Sequence, residues 1–506
     1  MQQTTKLICS LTADSVEAMR ADMQAAAAAG ADAVECRLDY LPKLPDEAAL
    51  RRLLRGAPLP VIVTCRPARQ GGRYEGEESA RLGVLAMAGE CGATYIDVEA
   101  DVSPSDRPGG TKVILSHHNF DSCPNDLDDI AADLDSSGAC MNKIVFAAAG
   151  PEDALQAFDC VRNSRKPTIA LAMGEAGVMS RILARKFGAA GTFAALSAGA
   201  QSAPGQPTIE QFKRLYRWDA LGPKTNVYGV IGCPVGHSMS PAIHNAAFDA
   251  AGIDAVYVPL LIQPGAENFN RFMDALANRP WVDLRGLSVT IPHKENALAY
   301  VGEGNCDELA ARIGAINTIT IGPHGKLRGD NTDYAAALGA LCEAMGIAPQ
   351  QLAGVSVAVL GAGGAGRAIV AALAARGADV TIYNRTVSRA EALGGEFGCR
   401  WARLDEAESL DASVVINCTP IGMHPKTDAT PLPSIPQCVE VVFDTIYNPL
   451  TTRLLADAAR AGCRTVSGLE MFVNQAVRQF EIWTRRPAPR ETMRRVVVDR
   501  LSLVGK

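Results

Sequence analysis

The sequence lacks several features that would assign it to a specialised class of protein. No long basic run occurs in its 506 residues and the net charge is −6, so nucleic acid is not an expected partner. The 14 cysteines include no C-x-x-C pair, so no metal site or disulfide framework is predicted. No apolar run reaches membrane-spanning length, and the strand-like Leu7-Ile8-Cys9 leaves no room for a signal peptide. These absences favour a soluble protein in a reducing, cytoplasmic setting and leave its oligomeric state open.

What is present is a chain too long for a single core. The stretch 217–225 (RWDALGPKT) places a Gly-Pro-Lys turn between two complete sequence patterns, which is typical of an interdomain linker. We therefore predict one domain over residues 1–220 and a second unit from residue 226 onwards.

The first half alternates short strand candidates with helical runs. Eight β/α units of this kind fit an α/β fold, a closed parallel (β/α)8 barrel. The candidates are Lys6–Ser10, Ala33–Arg37, Val61–Cys65, Tyr95–Glu99, Val113–His117, Lys143–Ala147, Thr168–Ala172 and Thr192–Ala195.

Polar residues gather where these strands end, which is where barrel active sites lie. Lys143 lies in an otherwise apolar strand, where burial would favour the neutral amine that attacks a carbonyl; a lysine reaching out to water is the alternative. His118 offers a proton shuttle, and Arg66 and Arg181 offer bidentate contacts to a carboxylate. These residues alone indicate an imine-forming lyase or aldolase that acts on an anionic keto compound.

The first half contains, in this order, the motifs Glu35-Cys-Arg37-Leu-Asp39, Thr64-Cys-Arg66, Ser116-His-His118-Asn-Phe, Lys143-Ile, Met179-Ser-Arg181 and Ser202-Ala-Pro-Gly-Gln206. Together they resemble type I 3-dehydroquinate dehydratases. The resemblance implies that Lys143 forms a Schiff base with the C3 ketone of 3-dehydroquinate, and that His118 removes the C2 proton and helps to expel the C1 hydroxyl as water. A class I aldolase also fits Lys143 but leaves the motif Ser202–Gln206 unexplained. The residues that would bind the carboxylate and hydroxyls are Glu35, Arg37, Arg66, Arg181, Ser202 and Gln206.

Two positions depart from that family's pattern. Gln70 stands where relatives commonly carry a glutamate near the catalytic histidine; it can hydrogen-bond but supplies no charge, which weakens the expected basicity of His118. His117 occupies a position where relatives often have Ser, Asn or Tyr, and we assign it no role.

The clearest signal of the second half is the glycine-rich turn Gly361-Ala-Gly-Gly-Ala-Gly366, between a predicted strand and a predicted helix. Such glycines let the backbone approach a pyrophosphate at a helix N-terminus. The next predicted strand ends in Asn384-Arg385-Thr386 rather than in an acidic residue. Arg385 and Arg389 offer cations to a 2′-phosphate, so NADP is preferred over NAD; an exposed helix arginine is the alternative for Arg389.

Other polar motifs precede this turn. Ser238 and Ser240 present two hydroxyls that could bind a polyol acid, although capping of a helix explains them equally well. Lys294 and Asp333 suit carbonyl reduction, because the pair can deliver a proton to the developing alkoxide while a nicotinamide supplies hydride.

Together these motifs resemble shikimate dehydrogenases. The resemblance implies a catalytic pair of Lys294 and Asp333, with Tyr334 where relatives often have glycine. It implies a two-lobed dehydrogenase with an α/β substrate-binding subdomain (226–333), a Rossmann-like NADP-binding subdomain (334–467) and C-terminal helices that return to the first lobe (468–506). The implied substrate-binding residues are Ser238, Ser240, Thr290, Asn317 and Gln475. The implied coenzyme-binding residues are Gly361, Ala362, Gly363, Gly364, Ala365, Asn384, Arg385, Thr386 and Arg389, with Ile446 and Gly468 near the nicotinamide.

In series, the two resemblances imply dehydration of 3-dehydroquinate to 3-dehydroshikimate, then its reduction to shikimate with NADPH, within aromatic amino acid biosynthesis. One alternative is a quinate dehydrogenase, with NAD and a weak dehydratase activity, because sugar-like acids that differ by one hydroxyl are discriminated by few contacts. A non-catalytic metabolite sensor is the other, but such a protein should have lost its chemical residues, and Lys143, His118, Lys294 and Asp333 all remain.

Overall fold

The computed structural model describes residues 4–504. They fall into two compact units, the first containing residues up to 241 together with 254–284, and the second containing 242–253 and the residues from 285 onwards.

Eight parallel strands form a barrel in the first unit, as the sequence predicted. Their order in the sheet is β7-β6-β5-β4-β3-β2-β1-β8, and the end strands approach each other where the Ala190 N–H donates to the Thr168 carbonyl (2.8 Å). Apolar side chains such as Ile62, Val145 and Phe193 fill the core. The strands are β1 Lys6–Leu11, β2 Ala33–Arg37, β3 Val61–Thr64, β4 Tyr95–Glu99, β5 Val113–Asn119, β6 Met141–Ala147, β7 Thr168–Met173 and β8 Gly191–Ala194.

Six helices connect the barrel strands. The first is capped by Ser15, whose hydroxyl accepts from the Ala18 N–H, and it ends at Gly30, which has a φ of 93° that suits glycine. The helices are α1 Val16–Ala29, α2 Glu47–Leu54, α3 Glu78–Glu90, α4 Leu127–Ser136, α5 Pro151–Asn163 and α6 Val178–Ile182.

The first unit extends beyond the barrel. It also contains strand β9 (Asn226–Gly232), strand β10 (Ala255–Leu261) and helix α8 (Ala266–Ala277). Helix α7 (Ser240–Ala250) lies between β9 and β10 in the chain, and its residues from 242 onwards belong to the second unit. Strands β9 and β10 pair in parallel. Helix α8 is held against α5 by an ion pair between Arg271 and Glu152 (2.6 Å), so this segment is attached to the barrel wall.

The second unit begins with an antiparallel meander. Strand β11 (Leu284–Val289) pairs with β12 (Thr318–Ile321), which pairs with β13 (Leu327–Asp330). Helices α9 (Lys294–Val301) and α10 (Glu308–Ile313) lie between β11 and β12 in the chain.

A doubly wound parallel sheet follows, with strand order β16-β15-β14-β17-β18-β19. Its core is built from Val357, Val359, Ile369, Val370 and Ile382. After β14 the strands are added first on one side (β15, β16) and then on the other (β17, β18, β19). Sheets of this kind bind ligands at the strand where the direction reverses, which is β14 here. The remaining elements are α11 Thr332–Met345, β14 Ser356–Leu360, α12 Gly364–Ala374, β15 Asp379–Asn384, α13 Val387–Phe397, β16 Arg400–Arg403, β17 Val414–Asn417, β18 Val441–Asp444, α14 Arg453–Arg460, β19 Arg464–Val466, α15 Gly468–Thr484 and α16 Arg490–Val504.

Among the described residues, no helix combines the length and the apolar character that crossing a membrane requires.

Two candidate active sites

One cavity at the C-terminal ends of the barrel strands collects every site residue predicted in the first half. Strands β2, β5 and β6, the loops after β3 and β8, and helix α6 each contribute predicted side chains. The predicted residues that line the cavity are Glu35, Arg37, Arg66, His118, Lys143, Arg181, Ser202 and Gln206, and Gln70 joins them.

Lys143 is the central side chain of this cavity, but its surroundings differ from the expected apolar ones. Its Nζ contacts Asp97 Oδ2 at 2.8 Å and Glu35 Oε1 at 3.3 Å, and it lies 4.5 Å from the centre of the Phe193 ring. The sequence reasoning missed Asp97. The sequence did contain a signal for it. Asp97 is a charged residue between the apolar Ile96 and Val98 of a predicted strand, just as Lys143 is a charged residue in a mostly apolar strand.

Asp97 connects Lys143 to a buried network. Arg66 contacts Asp97 (2.8 Å) and Glu99 (2.6 Å), and the Ser116 hydroxyl donates to Asp97 (2.7 Å). Burial works to raise the pKa of Asp97, but the charges of Arg66 and Lys143 outweigh it and hold that pKa below its usual range. The Asp97 carboxylate therefore stays ionised. Because Arg66 is engaged by two carboxylates, its predicted contact with a substrate carboxylate stays a prediction.

The other two predicted anion-binding arginines differ, because one has a carboxylate partner and the other has none among the described residues. Arg37 forms a bidentate pair with Asp39 (2.8 and 2.7 Å). Arg181 is 2% exposed, its Nε makes no hydrogen bond and it has no carboxylate partner among the described residues. Burial lowers the pKa of Arg181 to about 10. A buried guanidinium without a counter-charge is costly, so Arg181 is a ready site for an anion in this cavity.

The loop after β8 supplies Ser202 and Gln206. Gln206 Oε1 accepts from the Ser202 N–H (2.9 Å) and from its hydroxyl (3.1 Å). Gln206 Nε2 is buried without a hydrogen-bond partner among residues 4–504. An amide donor aimed at no protein acceptor fits a ligand oxygen.

His118 lies at the mouth of the cavity, stacked on Phe120 with ring centres 5.9 Å apart. Burial and the positive charges of Arg66 and Lys143 lower the pKa of His118 well below its usual value, against the opposing effect of Asp97. Gln70 donates to Asp101 (3.2 Å), and its buried Oε1 accepts nothing among the described residues. His118 Nδ1 is likewise buried without a partner. The resting imidazole is therefore neutral and able to accept a proton.

A second cavity, of about 480 Å3, lies in the second unit and contains both members of the predicted reducing pair. Lys294 begins α9 and Asp333 lies in the first turn of α11; Lys294 Nζ and Asp333 Oδ2 are 2.6 Å apart. The N-terminus of α12, at Gly364, lines the same cavity. The fold thus brings the pair to the helix that follows the glycine-rich turn.

Three other predicted residues of the second unit do not line this cavity. Asn317 Oδ1 accepts from the Thr332 N–H (2.8 Å), so Asn317 fixes the residue that precedes Asp333. Gln475 donates to the Phe472 carbonyl of its own helix (3.1 Å), and the Thr290 carbonyl accepts from the His293 N–H (2.9 Å).

The glycine-rich turn has the shape that a pyrophosphate requires. A Cβ on Gly366 would lie 2.1 Å from the Gly361 carbonyl oxygen, whereas Gly363 and Gly364 face open space. The Ala362 N–H donates to Asn384 Oδ1 (3.1 Å), which ties the turn to the end of β15. The turn can therefore receive a diphosphate on its open side.

The residues after β15 fit a 2′-phosphate. Arg385 and Arg389 are exposed and have no ion-pair partner in the part of the chain that the structure describes, and Thr386 stands beside them. No carboxylate occupies the position that would bind a free ribose 2′-hydroxyl. This donor set fits NADP, as the sequence predicted.

The remaining positions singled out from the sequence do not line either of these two cavities. Ser238 and Ser240 belong to the first unit, where the Ser240 N–H donates to the Ser238 hydroxyl (3.2 Å); their substrate role stays a prediction. Gly468 packs against the backbone of Ile446, leaving no room for a side chain. Tyr334, left undecided from the sequence, donates to Asp307 (2.8 Å).

No group of three or more His, Cys, Asp or Glu side chains suited to a metal ion occurs among residues 4–504.

The comparisons with known proteins follow the same division of the chain. The family model described as type I 3-dehydroquinase matches residues 7–223. The model for the shikimate dehydrogenase substrate-binding domain matches 230–319, that for shikimate/quinate 5-dehydrogenase matches 343–422, and that for the shikimate 5′-dehydrogenase C-terminal domain matches 468–498.

Individual relatives cover the whole chain or its second half. The chloroplastic bifunctional 3-dehydroquinate dehydratase/shikimate dehydrogenase of Arabidopsis thaliana is 42% identical over 96% of this chain and 83% of its own. The shikimate dehydrogenase (NADP+) of Methanosarcina acetivorans is 42% identical over 54% of this chain and 99% of its own. A crystal structure of a shikimate dehydrogenase in complex with NADP+ has 37% identity and a TM-score of 0.50, covering 55% of this chain and 96% of that one.

Proposed function

The chain belongs to the family of bifunctional 3-dehydroquinate dehydratases/shikimate dehydrogenases, and we propose that its two cavities catalyse consecutive reactions. The barrel dehydrates 3-dehydroquinate to 3-dehydroshikimate, and the second unit reduces 3-dehydroshikimate to shikimate with NADPH. The observation that carries the first assignment is a single buried cavity that contains Lys143, His118 and the unpaired Arg181.

Lys143 supplies the nucleophile of the first reaction. Its amine attacks the C3 ketone and a water is lost, which leaves a Schiff base. When the C2 proton is removed, the electron pair of the C2–H bond is delocalised into this imine. His118 takes that proton and returns it to the departing C1 hydroxyl, which leaves as water. Hydrolysis of the imine consumes one water and frees Lys143, so one water is lost overall.

Charge in the barrel cavity fixes the orientation of the substrate. Arg181 pairs with the substrate carboxylate, because it is the buried cation that lacks a carboxylate partner. Gln206 Nε2, which has no hydrogen-bond partner among the described residues, donates to a ring hydroxyl, and Ser202 holds the side chain in place by donating to Gln206 Oε1. Asp97 and Glu35 remain beside the nitrogen of Lys143 as counter-charges to the protonated imine.

Lys294 and Asp333 perform the proton transfer of the second reaction. Lys294 donates a proton to the alkoxide that forms from the ketone, and Asp333 holds the ammonium in position at 2.6 Å. The bound coenzyme supplies the hydride. The ring carboxylate and hydroxyls are bound by the predicted set of Ser238, Ser240, Thr290, Asn317 and Gln475.

The second unit holds NADP through two groups of residues. The open side of the turn from Gly361 to Ala365 receives the diphosphate, and Asn384 fixes that turn. Arg385, Thr386 and Arg389 take the 2′-phosphate, and Ile446 and Gly468 adjoin the nicotinamide.

We also propose the domain division 1–220, 226–333, 334–467 and 468–506. The stretch 217–225 is the expected site of first cleavage in limited proteolysis, and an earlier cut within 1–216 would contradict the division.

A cytoplasmic location is proposed from the cysteines, all 14 of which are free thiols. Fractionation of the source cells that recovers the protein in an organelle would overturn it.

Two measurements test the proposed function. With 3-dehydroquinate alone, enone absorbance should rise; when NADPH is then added, the coenzyme should be oxidised as the enone disappears. No enone signal would refute the first assignment, and enone without coenzyme oxidation would refute the second.

Borohydride reduction in the presence of 3-dehydroquinate should add a substrate-derived mass to the peptide that contains Lys143; an unmodified peptide would exclude the covalent route.

A further inference from the structure

A third cavity, of about 230 Å3, lies in the second unit apart from the Lys294–Asp333 pair. One wall is the end of β13 and the start of α11, and the opposite wall is the C-terminal part of α15. Arg478 and Ile482 face it from α15, because residues four apart lie on one side of a helix, and Arg485 lines it from the position that caps the C-terminus of α15. Nothing in the proposed reactions uses these three side chains.

Two of the three arginines that line this cavity, Arg478 and Arg485, have no ion-pair partner among the described residues. Arg478 and Arg485 are exposed and neither has a carboxylate within ion-pair distance among residues 4–504. Other arginines of the same region are paired: Arg490 contacts Glu470 at 3.1 Å and Arg494 contacts it at 3.0 Å. Two adjacent free guanidinium groups at a concave surface are suited to bidentate binding of a carboxylate.

The opposite wall supplies an acceptor without a donor. Asp330 Oδ2 and Thr320 Oγ1 are both buried and form no hydrogen bond within the described residues. Arg328 pairs with Asp330 through two contacts of 3.5 Å, Nε to Oδ2 and Nη2 to Oδ1, which are longer than the usual charge-assisted bond. Asp330 Oδ2, which forms no hydrogen bond within the described residues, can therefore still accept one from a cationic donor, and the Asp330 charge disfavours a ligand that carries negative charge alone.

An apolar surface lies between the two charged walls. Ile482, Ala335 and the ring of Tyr334 line the cavity, and the Tyr334 hydroxyl is already bound to Asp307 (2.8 Å). From this arrangement we propose that the cavity binds a small zwitterion, an α-amino acid with an apolar side chain. Its carboxylate pairs with Arg478 and Arg485, its ammonium with Asp330, and its side chain contacts Ile482.

The site is connected to the catalytic aspartate through one residue. Asn331 lines both this cavity and the Lys294–Asp333 cavity. Its Oδ1 accepts from the Asp333 N–H (3.0 Å), and its Nδ2 donates to the Ala315 carbonyl (3.0 Å). A ligand that fixes Asp330 and Tyr334 therefore orders the first turn of α11, which carries Asp333.

Calorimetric titration of the full chain, saturated with NADP+, tests the binding. L-Leucine and L-phenylalanine are the probes, each compared with the acid that lacks the amino group, 4-methylpentanoate or 3-phenylpropanoate. We expect one saturable site for at least one amino acid, with its deamino acid bound at least tenfold more weakly. Equal affinity for the deamino acid, or no saturable binding of either amino acid, would overturn the proposal.

Variants locate the site. Arg478→Ala combined with Arg485→Ala should weaken amino acid binding at least tenfold, whereas Arg486→Ala, which removes a neighbouring exposed arginine that does not line the cavity, should leave it unchanged. Asp330→Asn should weaken binding of the amino acid but not that of its deamino acid. Unchanged binding in the double variant contradicts the assignment. All the substituted arginines are exposed, so folding is not at risk, and the assay requires no turnover, so it stands independently of the proposed reactions.

Hydrogen exchange tests the connection to α11. The amides of residues 331–335 should exchange more slowly in the presence of the bound amino acid. Binding without any change there would refute the coupling through Asn331.

Discussion

Lys143 and Lys294 each contact a carboxylate, but their ion pairs lie in different surroundings. The side chains of Lys143 and Asp97 are 6% and 1% exposed, whereas those of Lys294 and Asp333 are 32% and 18% exposed. Lys143 lies within a strand and a network that includes Arg66; Lys294 begins a helix and has one partner. A covalent catalyst benefits from being held rigidly away from water, whereas a proton donor must regain a proton from solvent after each turnover. The depth of each pair matches its proposed chemistry.

The most severe test of this comparison removes each lysine in turn. Lys143→Ala should lower dehydratase kcat by at least about a thousandfold, because no other group replaces the nucleophile, and should leave shikimate oxidation intact. Lys294→Ala should do the reverse, with a loss of about a hundredfold or more for a missing proton donor. The two half-reactions are assayed separately, and Lys326→Ala, on an exposed turn, is the control. Parallel losses of both activities in either variant would contradict separate sites.

The next test concerns the buried network. Asp97→Asn leaves Lys143 and Arg66, both buried, each short of one counter-charge, and breaking a buried pair typically costs about 3 kcal/mol. Asp379→Asn is the matched control, because its contact with Arg400 is between side chains 55% and 65% exposed and surface pairs contribute little. In thermal unfolding, the melting temperature of the barrel should fall in Asp97→Asn and stay unchanged in Asp379→Asn. Equal shifts in the two variants would show that burial does not distinguish these pairs.

A smaller effect is expected where the second unit recognises its coenzyme. Arg385 and Arg389 are exposed, so the contact of each with a 2′-phosphate is partly screened. Replacing both with alanine should raise KM for NADPH about tenfold, equivalent to about 1.4 kcal/mol, and leave KM for NADH unchanged. Arg376→Ala, an exposed arginine on the preceding turn, serves as the control. An equal rise for both coenzymes would mean that the arginines do not read the 2′-phosphate.

The barrel and the doubly wound sheet were predictable because they depend on local patterns. Each of the eight predicted strands is a short β-branched or apolar run, and the observed strands differ from them by at most two residues at either end. The glycine-rich turn was equally local, since Gly361 to Gly366 require their own backbone conformation. The lysine of β6 was recognisable as chemically unusual for the same reason.

The partners of that lysine were not predictable in this way. Asp97 and Glu35 lie 46 and 108 positions from Lys143 in the chain, and only closure of the barrel brings their carboxylates to one amine. The same limit applies to the third cavity, where Arg478 and Asp330 face each other from distant segments. Sequence pattern identifies which residues are unusual, whereas tertiary packing determines which charges are compensated.

The least severe test concerns the base of the first site. A general base must be neutral to accept a proton, and burial with nearby cations already lowers the pKa of His118 well below its ordinary value. The acidic limb of dehydratase kcat/KM should therefore lie below about pH 6.5, the ordinary value for histidine. Gln70→Glu places a negative charge in the same cavity, which favours the imidazolium and should raise that limb by about one pH unit.

Whether the acidic limb shifts at all discriminates between two causes of the low basicity of His118. If the missing charge at position 70 is responsible, Gln70→Glu moves the acidic limb of the dehydratase upward and raises its maximal rate, because a more basic imidazole abstracts the C2 proton more readily. Gln350→Glu, which adds the same charge to an exposed position of the second unit, should change neither. If both variants leave the limb in place, the cations Arg66 and Lys143 control His118 regardless of residue 70. The difference between the two sites would then come from the buried network around Lys143 in the first site, which the more exposed Lys294–Asp333 pair lacks, and not from residue 70.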